Sequence, residues 1–253
     1  MAHSAENEFI ACETWGQAVQ LSCGYEDPHL VSNLASQLRD HTPWKIDRNS
    51  DKYLDERSLQ LLCALQLVAA HVGPEIRVAD IGGGNGYMAY SARQQLGHFH
   101  WDWTVFESPT VAAEYGIFES AAAIKWRPNL VEEYGSDYDV AILSCTLQYI
   151  EDPYSLLKTT ALRSQYMLIL RLPLVSDSDM DLCSVQRPRG GVYEESQASW
   201  PCWFFSRSRF DAAIAGIGEV VLRWITTSET VVIRGVTIPL EGLLIRTRIG
   251  SME

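Results

Sequence analysis

Asp80-Ile81-Gly82-Gly83-Gly84-Asn85-Gly86 is the segment of this chain whose residue types constrain chemistry most. It follows the short apolar run Ile76-Arg77-Val78-Ala79, which reads as a buried strand, and precedes Tyr87 to Leu96, which reads as a helix that Gly97 can end. Glycines this dense let a ligand approach the backbone where a side chain would block it. The helix N-terminus beyond them offers free N–H groups and partial positive charge to a carboxylate or phosphate. Asp80 at the strand end discriminates between the two. Its carboxylate would repel a pyrophosphate, but it suits a ligand that also carries an ammonium group. S-adenosylmethionine carries both groups, a carboxylate for the loop and an ammonium for Asp80. Cofactor contacts are therefore expected at Asp80, Gly82, Gly83, Gly84 and Gly86.

Two other readings of the loop stay open. Gly84-Asn85-Gly86-Tyr87-Met88-Ala89 also fits the G-x-G-x-x-A form of a dinucleotide site. A tight strand-to-helix turn with no ligand is the plain alternative. A second acid adds weight to a nucleoside. Trp101 to Phe106 reads as the neighbouring strand, and Glu107 stands at its end, where a carboxylate can accept both ribose hydroxyls. NAD sites use the same device, so Glu107 supports adenosine without separating the cofactors.

These residues need a parallel sheet to hold them. Leu59 to His71 reads as an apolar-rich helix closed by Gly73-Pro74. Strands follow near 76–81, 101–106, Ile124 to Trp126, Tyr138 to Ser144 and Tyr166 to Leu172, alternating with helices that Ser108-Pro109 and Asp152-Pro153 open. Ser206 or Ser208 can cap a helix ending near Gly216-Ile217-Gly218. Two β-rich runs finish the chain, Val220 to Thr226 and Leu240 to Arg248, and Thr230 to Ile238 offers a strand between them. Before the core, residues 1–55 read as a helical extension, with short helices at Trp15 to Leu21 and Asp27 to Arg39. From Pro173 to Trp200 no sustained period is visible; a stretch that long is usually functional or mobile.

At 253 residues and 47% hydrophobic, the chain suits one large α/β domain with additions. Its net charge of −12 disfavours nucleic acids and anionic membranes, and no Lys/Arg run marks a basic patch. No run of ~18 apolar residues suggests a membrane span. The polar, acidic start lacks the order of a signal peptide. Six cysteines without a C-x-x-C read as reduced thiols of a cytoplasmic protein, and Cys145 as a small buried residue. His98-x-His100 has no third ligand in pattern, so no metal site is expected.

On these residues the chain resembles the class I S-adenosylmethionine-dependent methyltransferases. Asp80-x-Gly82-x-Gly84-x-Gly86 matches the family's first motif, and Glu107 its ribose acid. Asp139 to Ser144 followed by Leu147-Gln148-Tyr149-Ile150-Glu151-Asp152-Pro153 looks like the fourth-strand motif, with Gln148 and Tyr149 where many members carry two histidines. A histidine-base mechanism is therefore not carried over. A closer similarity is to a largely uncharacterised bacterial methyltransferase family. It rests on Trp15-x-x-Ala18 with Gly24-Tyr25-Glu26, on Asp80 to Gly83, on Leu143-Ser144 with Leu147-Gln148-Tyr149, and on Ser199 to Ser206.

The resemblance implies a Rossmann-like, seven-stranded, mainly parallel sheet flanked by helices, with the last two strands as an antiparallel edge. It implies S-adenosylmethionine as cofactor, with Ser144 on the cofactor side. It also implies that the fourth-strand end faces the transferable methyl, which makes Gln148 and Tyr149 catalytic candidates. Arg171, near the end of a buried strand, needs an anion, either internal or from substrate. Tyr25, Trp200 and Trp203 are candidate substrate contacts, although the tryptophans equally suit anchoring. Residues 173–200 are a candidate lid, together with the segment around Tyr25. The function expected is methyl transfer to a small-molecule acceptor, at oxygen by analogy with small-molecule members of the fold. The alternatives are a binding or scaffold protein on the same fold and an NAD-type oxidoreductase. The acceptor and the oligomeric state are not readable.

Overall fold

A computed structural model describes residues 8–24, 55–128, 138–188 and 198–248. Its central strands are continuous apolar runs because helices cover both of their faces. β2 (Glu75–Ile81), β3 (His100–Glu107), β4 (Lys125–Pro128), β5 (Tyr138–Ser144) and β6 (Ser164–Val175) are parallel, in the order β4-β3-β2-β5-β6. β10 (Val236–Thr247) runs antiparallel to β6, and β9 (Gly218–Ile233) antiparallel to β10. This is the expected seven-stranded sheet with its antiparallel edge.

Alternate residues of each strand feed two cores. Val78, Trp103, Val105, Val140, Ile142 and Leu168 meet α2 (Glu56–Val72), α3 (Tyr87–Gln95) and α4 (Pro109–Gly116) on one face. A short α5 (Glu119–Ala122) leads into β4. On the other face Ala79, Ala141, Leu143, Met167 and Ile169 meet α6 (Pro153–Ala161) and α7 (Arg207–Ile217). The helix starts follow local chemistry. Ser108 and Asp152 cap α4 and α6 with Pro in the first turn, and Ser206, not Ser208, caps α7. Asp55 caps α2, whose first residue lies three before the apolar run begins at Leu59.

Three sequence expectations are corrected. The stretch 173–200 is not without regular structure. β6 continues to Val175, and β7 (Leu182–Arg187) pairs antiparallel with β8 (Trp200–Ser206). The described part of the N-terminal extension includes a strand, β1 (Glu8–Cys12), before α1 (Trp15–Gln20). β1 pairs with β7, so β1-β7-β8 form an antiparallel wing. The wing joins the main sheet where Leu174 and Val175 of β6 pair with Phe205 and Ser206. Third, Thr230 to Ile238 is no separate strand. It is the tip of the β9–β10 hairpin, which turns at Arg234-Gly235, both at positive φ. The expected helix from Asp27 to Arg39 and the residue Tyr25 lie outside the described residues.

Two bulges shape the carboxyl end of the sheet. Leu172 faces Glu241 and Ile169 faces Leu243, so Leu170 and Arg171 together oppose Gly242. Arg171 takes the left-handed conformation, φ 59°, a position glycine usually fills. In β9 the register jumps from Thr226 to Thr230, leaving Thr227 to Glu229 outside the ladder. The Thr227 and Ser228 N–H groups donate instead to the Glu56 carboxylate, at 2.9 Å and 2.8 Å.

Candidate active site

The glycine loop between β2 and α3 has three left-handed residues, Gly82 (φ 70°), Gly84 (φ 55°) and Gly86 (φ 74°). Packing explains most of the glycines. A Cβ on Gly82 would lie 2.8 Å from Thr146 Oγ1, one on Gly83 2.3 Å from Asp80 Cγ, and one on Gly86 2.7 Å from Ile124 Cδ1. Gly84 differs, because a Cβ there would meet nothing within 4 Å among the described residues. Its backbone is held from both sides. Its N–H donates to Glu107 Oε1 at 2.8 Å, and its carbonyl accepts from Trp126 Nε1 at 2.9 Å. Thr146 Oγ1 donates to the Ile81 carbonyl at 2.7 Å, tying the turn after β5 to the loop.

Asp80 is fully buried beneath this loop. Its Oδ2 accepts from Trp103 Nε1 at 3.1 Å, and its Oδ1 has no hydrogen-bond partner among the described residues. Burial pushes the carboxyl up to about 7. The Trp103 N–H opposes that shift, and the neighbouring Glu107 adds to it. Glu107 is itself raised by burial, against N–H donors from Gly84 and, at 3.2 Å, Ser108. Buried Asp80 and partly buried Glu107, whose charge helps to raise it, therefore lie beside an open backbone position. A positive charge placed there would relieve both. Asp80, Gly82, Gly83, Gly84, Gly86 and Glu107 form one locus. It fits a ligand that is cationic at one end and bears ribose hydroxyls. Gly86 is the N-cap of α3 and gives it no side-chain cap; Asn85 Oδ1 accepts from the Tyr87 N–H, at 3.1 Å.

A second polar cluster lies one strand further, at the ends of β5 and β6. Ser144, partly exposed, is the last residue of β5, and Cys145 after it is also left-handed at φ 56°. Gln148 does not cap α6, since Asp152 does. Its Nε2 donates to Cys145 Sγ at 3.1 Å and to the Arg171 carbonyl at 3.3 Å. Tyr149 O–H donates to Gln186 Oε1 at 2.7 Å, and its ring meets Trp200 edge-on at 6.1 Å. Burial first, then the sulfurs of Cys145 and Cys202, hold the Tyr149 phenol well above its usual range. Arg171 Nε donates to Glu229, which the β9 bulge delivers. The Cys145 sulfur first, and then Glu229 and Tyr149, hold this guanidinium charged against the effect of burial.

The two tryptophans do not form one wall. Three apart on β8, they stand on opposite faces. Trp200 is buried beside Tyr149 and donates to Gln186 Oε1 at 3.2 Å. Trp203 stacks on Trp15 at 5.1 Å and donates to the Ile150 carbonyl at 3.1 Å, which is an anchoring role. Sequence reasoning missed Trp103, Trp126, Thr146, Gln186 and Glu229. The first three lie beside the motif, whereas nothing local links Glu229 to Arg171 across 58 residues. All six cysteines are free, Cys23 and Cys63 at the surface. Among the described residues no three His, Cys, Asp or Glu side chains group to hold a metal, and no helix is long and apolar enough to cross a membrane.

No protein-family model and no curated protein matches this chain. Solved structures do match it. The N-terminal domain of EvdMO1, determined in the presence of SAH (S-adenosylhomocysteine) and D-fucose, gives a TM-score of 0.53 at 15% identity, over 86% of this chain and 97% of that one. The complex of LepI with SAM (S-adenosylmethionine) gives 0.53 at 10% identity over 88% of this chain, which spans about half of LepI (53%). Magnesium protoporphyrin IX methyltransferase ChlM from Synechocystis, with bound SAH, gives 0.47 at 12% identity, over 84% of this chain and 98% of that one. Across most of its length the chain is structurally similar to proteins solved with S-adenosylhomocysteine or S-adenosylmethionine. At these identities the likeness establishes the fold.

Proposed function

We propose that this chain binds S-adenosylmethionine at the glycine loop and transfers its methyl to an oxygen of a small-molecule acceptor. The observation that carries the reading is the pair of acids, buried Asp80 with an Oδ1 that has no partner among the described residues and partly buried Glu107 raised beside it, next to the open face of Gly84. A nicotinamide dinucleotide would bring a pyrophosphate against those acids, whereas a sulfonium amino acid brings two cations. When bound, S-adenosylmethionine supplies a methyl carbon on a sulfonium that departs as a neutral thioether.

The protein's part is then mainly positioning, which can contribute roughly 7–11 kcal/mol. Asp80 would offset the charge of the amino-acid end from beneath the loop. Glu107 would exchange its Gly84 N–H for ribose hydroxyls. Ser144, Gln148 and Tyr149, at the end of the adjacent strand, would border the methyl. Tyr149 would act there as a hydrogen-bond donor, because its phenol stays protonated at neutral pH. The segment 173–200 would cover the acceptor through β7 and β8 of the wing, a hypothesis motivated by the pairing of β8 with the carboxyl end of β6. The test is mass-spectrometric: incubation with S-adenosylmethionine carrying a labelled methyl, and a screen of small acceptors for a mass gain of one methyl. A protein that binds the cofactor and methylates no acceptor of any class favours a binding role on the same fold.

A further inference from the structure

Among the described residues, the cluster at the ends of β5 and β6 contains no base. Gln148 has none to offer, and Tyr149 and Arg171 are both held protonated. Cys145 Sγ accepts the Gln148 amide, and the Glu229 carboxylate is paired with Arg171 Nε. Of the described histidines, His100 opens β3 and His71 and His98 lie close to β-strand starts, at the amino edge of the sheet, away from this cluster. A neutral alcohol would have to lose its proton to become a competent nucleophile, and nothing described here would take it. An oxygen already ionised in solution needs no base.

Arg171 supplies the complementary feature. Only its Nε is bonded; among the described residues neither Nη1 nor Nη2 has a hydrogen-bond partner, and neither is sealed from solvent. Its side chain is 29% exposed, so two N–H edges of a charged fork remain available beside Cys145 and Gln148. Its left-handed backbone carries a strain that glycine would not bear. Leu170 and Leu172 on either side are fully buried, so the bulge turns out this one residue.

Resting on the methyl-transfer reading above, we infer that the acceptor is an acidic oxygen, a carboxylate or an ionised phenol or enol, held by the free Nη edge of Arg171. A lone pair of that oxyanion forms the new O–CH3 bond as the C–S bond breaks. The bond pair goes to sulfur, and no proton moves. The products are a methyl ester or ether and S-adenosylhomocysteine. Glu229 fixes the fork by its Nε side and leaves the terminal nitrogens for the anion.

The experiment loads the full chain with S-adenosylhomocysteine, which is itself measured first by calorimetry. It then titrates benzoate against benzamide, and 4-nitrophenol, whose anion is coloured. Benzoate should bind about 10–100-fold more tightly than benzamide. The bound phenol should ionise about 1 pH unit or more below its free value, as a cation within a few ångströms produces. R171Q keeps the backbone strain of any L residue and should lose both effects, while R171K keeps part of each. E229Q should deepen the phenol shift, because it removes a competing negative charge; a purely structural ion pair would change only thermal stability. Equal binding of benzoate and benzamide together with no phenol shift, or either effect retained in R171Q, overturns the inference and leaves the cofactor reading standing. Failure of S-adenosylhomocysteine to bind removes both. Benzoate selectivity without a phenol shift selects carboxylates, and the reverse selects phenols; either supports the shared chemistry.

Discussion

Asp80 is buried beneath the loop at a cost to the fold. Its folded pKa, about 7, lies above the ordinary 3.8, so the native state holds its proton more tightly than the unfolded chain does. Stability from this group is therefore greatest at low pH, declines as pH rises from 3.8 through about 7, and stays low above that. Asp80→Asn keeps an acceptor for Trp103 and removes the charge. Its melting temperature should exceed that of wild type at pH 8 and match it near pH 4, with S-adenosylmethionine affinity reduced about 10–100-fold. A variant that gains no stability at pH 8 would mean that Asp80 is not the strained charge described. Glu107→Gln should weaken S-adenosylmethionine and S-adenosylhomocysteine alike, about 10-fold, since both offer the same ribose; unequal losses in calorimetry would move Glu107 off the ribose. Both acids were legible in the sequence because each stands at a strand end, Asp80 just before the glycine run and Glu107 at the end of the next strand. Glu229 and Gln186 were not. They reach Arg171 and Tyr149 across 58 and 37 residues, through pairings no local pattern encodes.

The glycine loop separates packing from binding at the scale of one element. Gly83→Ala drives a methyl into the Asp80 carboxylate and should cost about 1–3 kcal/mol of stability, read as a lower melting temperature. Gly84→Ala meets no neighbour and bears only left-handed strain, about 1–2 kcal/mol. That strain should lower its melting temperature by about 2–8 °C, and it should bind S-adenosylhomocysteine at least about 10-fold more weakly than the equally destabilised Gly83→Ala, because the new methyl enters the ligand's space. Unchanged affinity would put the ligand elsewhere. The alternating strands and helices were readable because Ser108-Pro109, Asp152-Pro153 and the buried runs are local signals. β7 was not, because Leu182 to Arg187 is short and four of its six residues, polar ones included, are buried, which leaves no in–out alternation. The β9–β10 tip was misread as a strand because β-branched residues continue straight through the turn that Arg234 and Gly235 make.

Across the whole molecule, the wing is fastened to the main sheet at Asp181. Its carboxylate accepts from the Ser206 N–H at 2.7 Å and the Tyr154 hydroxyl at 3.1 Å, and it pairs with Arg209 at 3.1 Å. Asp181→Ala leaves those groups without their acceptor and should cost about 2–5 kcal/mol, while S-adenosylhomocysteine affinity changes less than about twofold, since the loop lies across the sheet. Removing Ser176 to Arg189 outright would delete β7, the middle strand of the wing, so a lid is better tested by point substitution than by deletion. The central claim is that Asp80, Glu107 and the open glycine make a site for a cationic nucleoside. Calorimetric titration of the wild-type chain with S-adenosylmethionine, S-adenosylhomocysteine and NAD tests it most directly. The account predicts one-to-one binding of the first two and no heat of binding from NAD; saturable NAD binding, or no binding of either adenosyl compound, would contradict it.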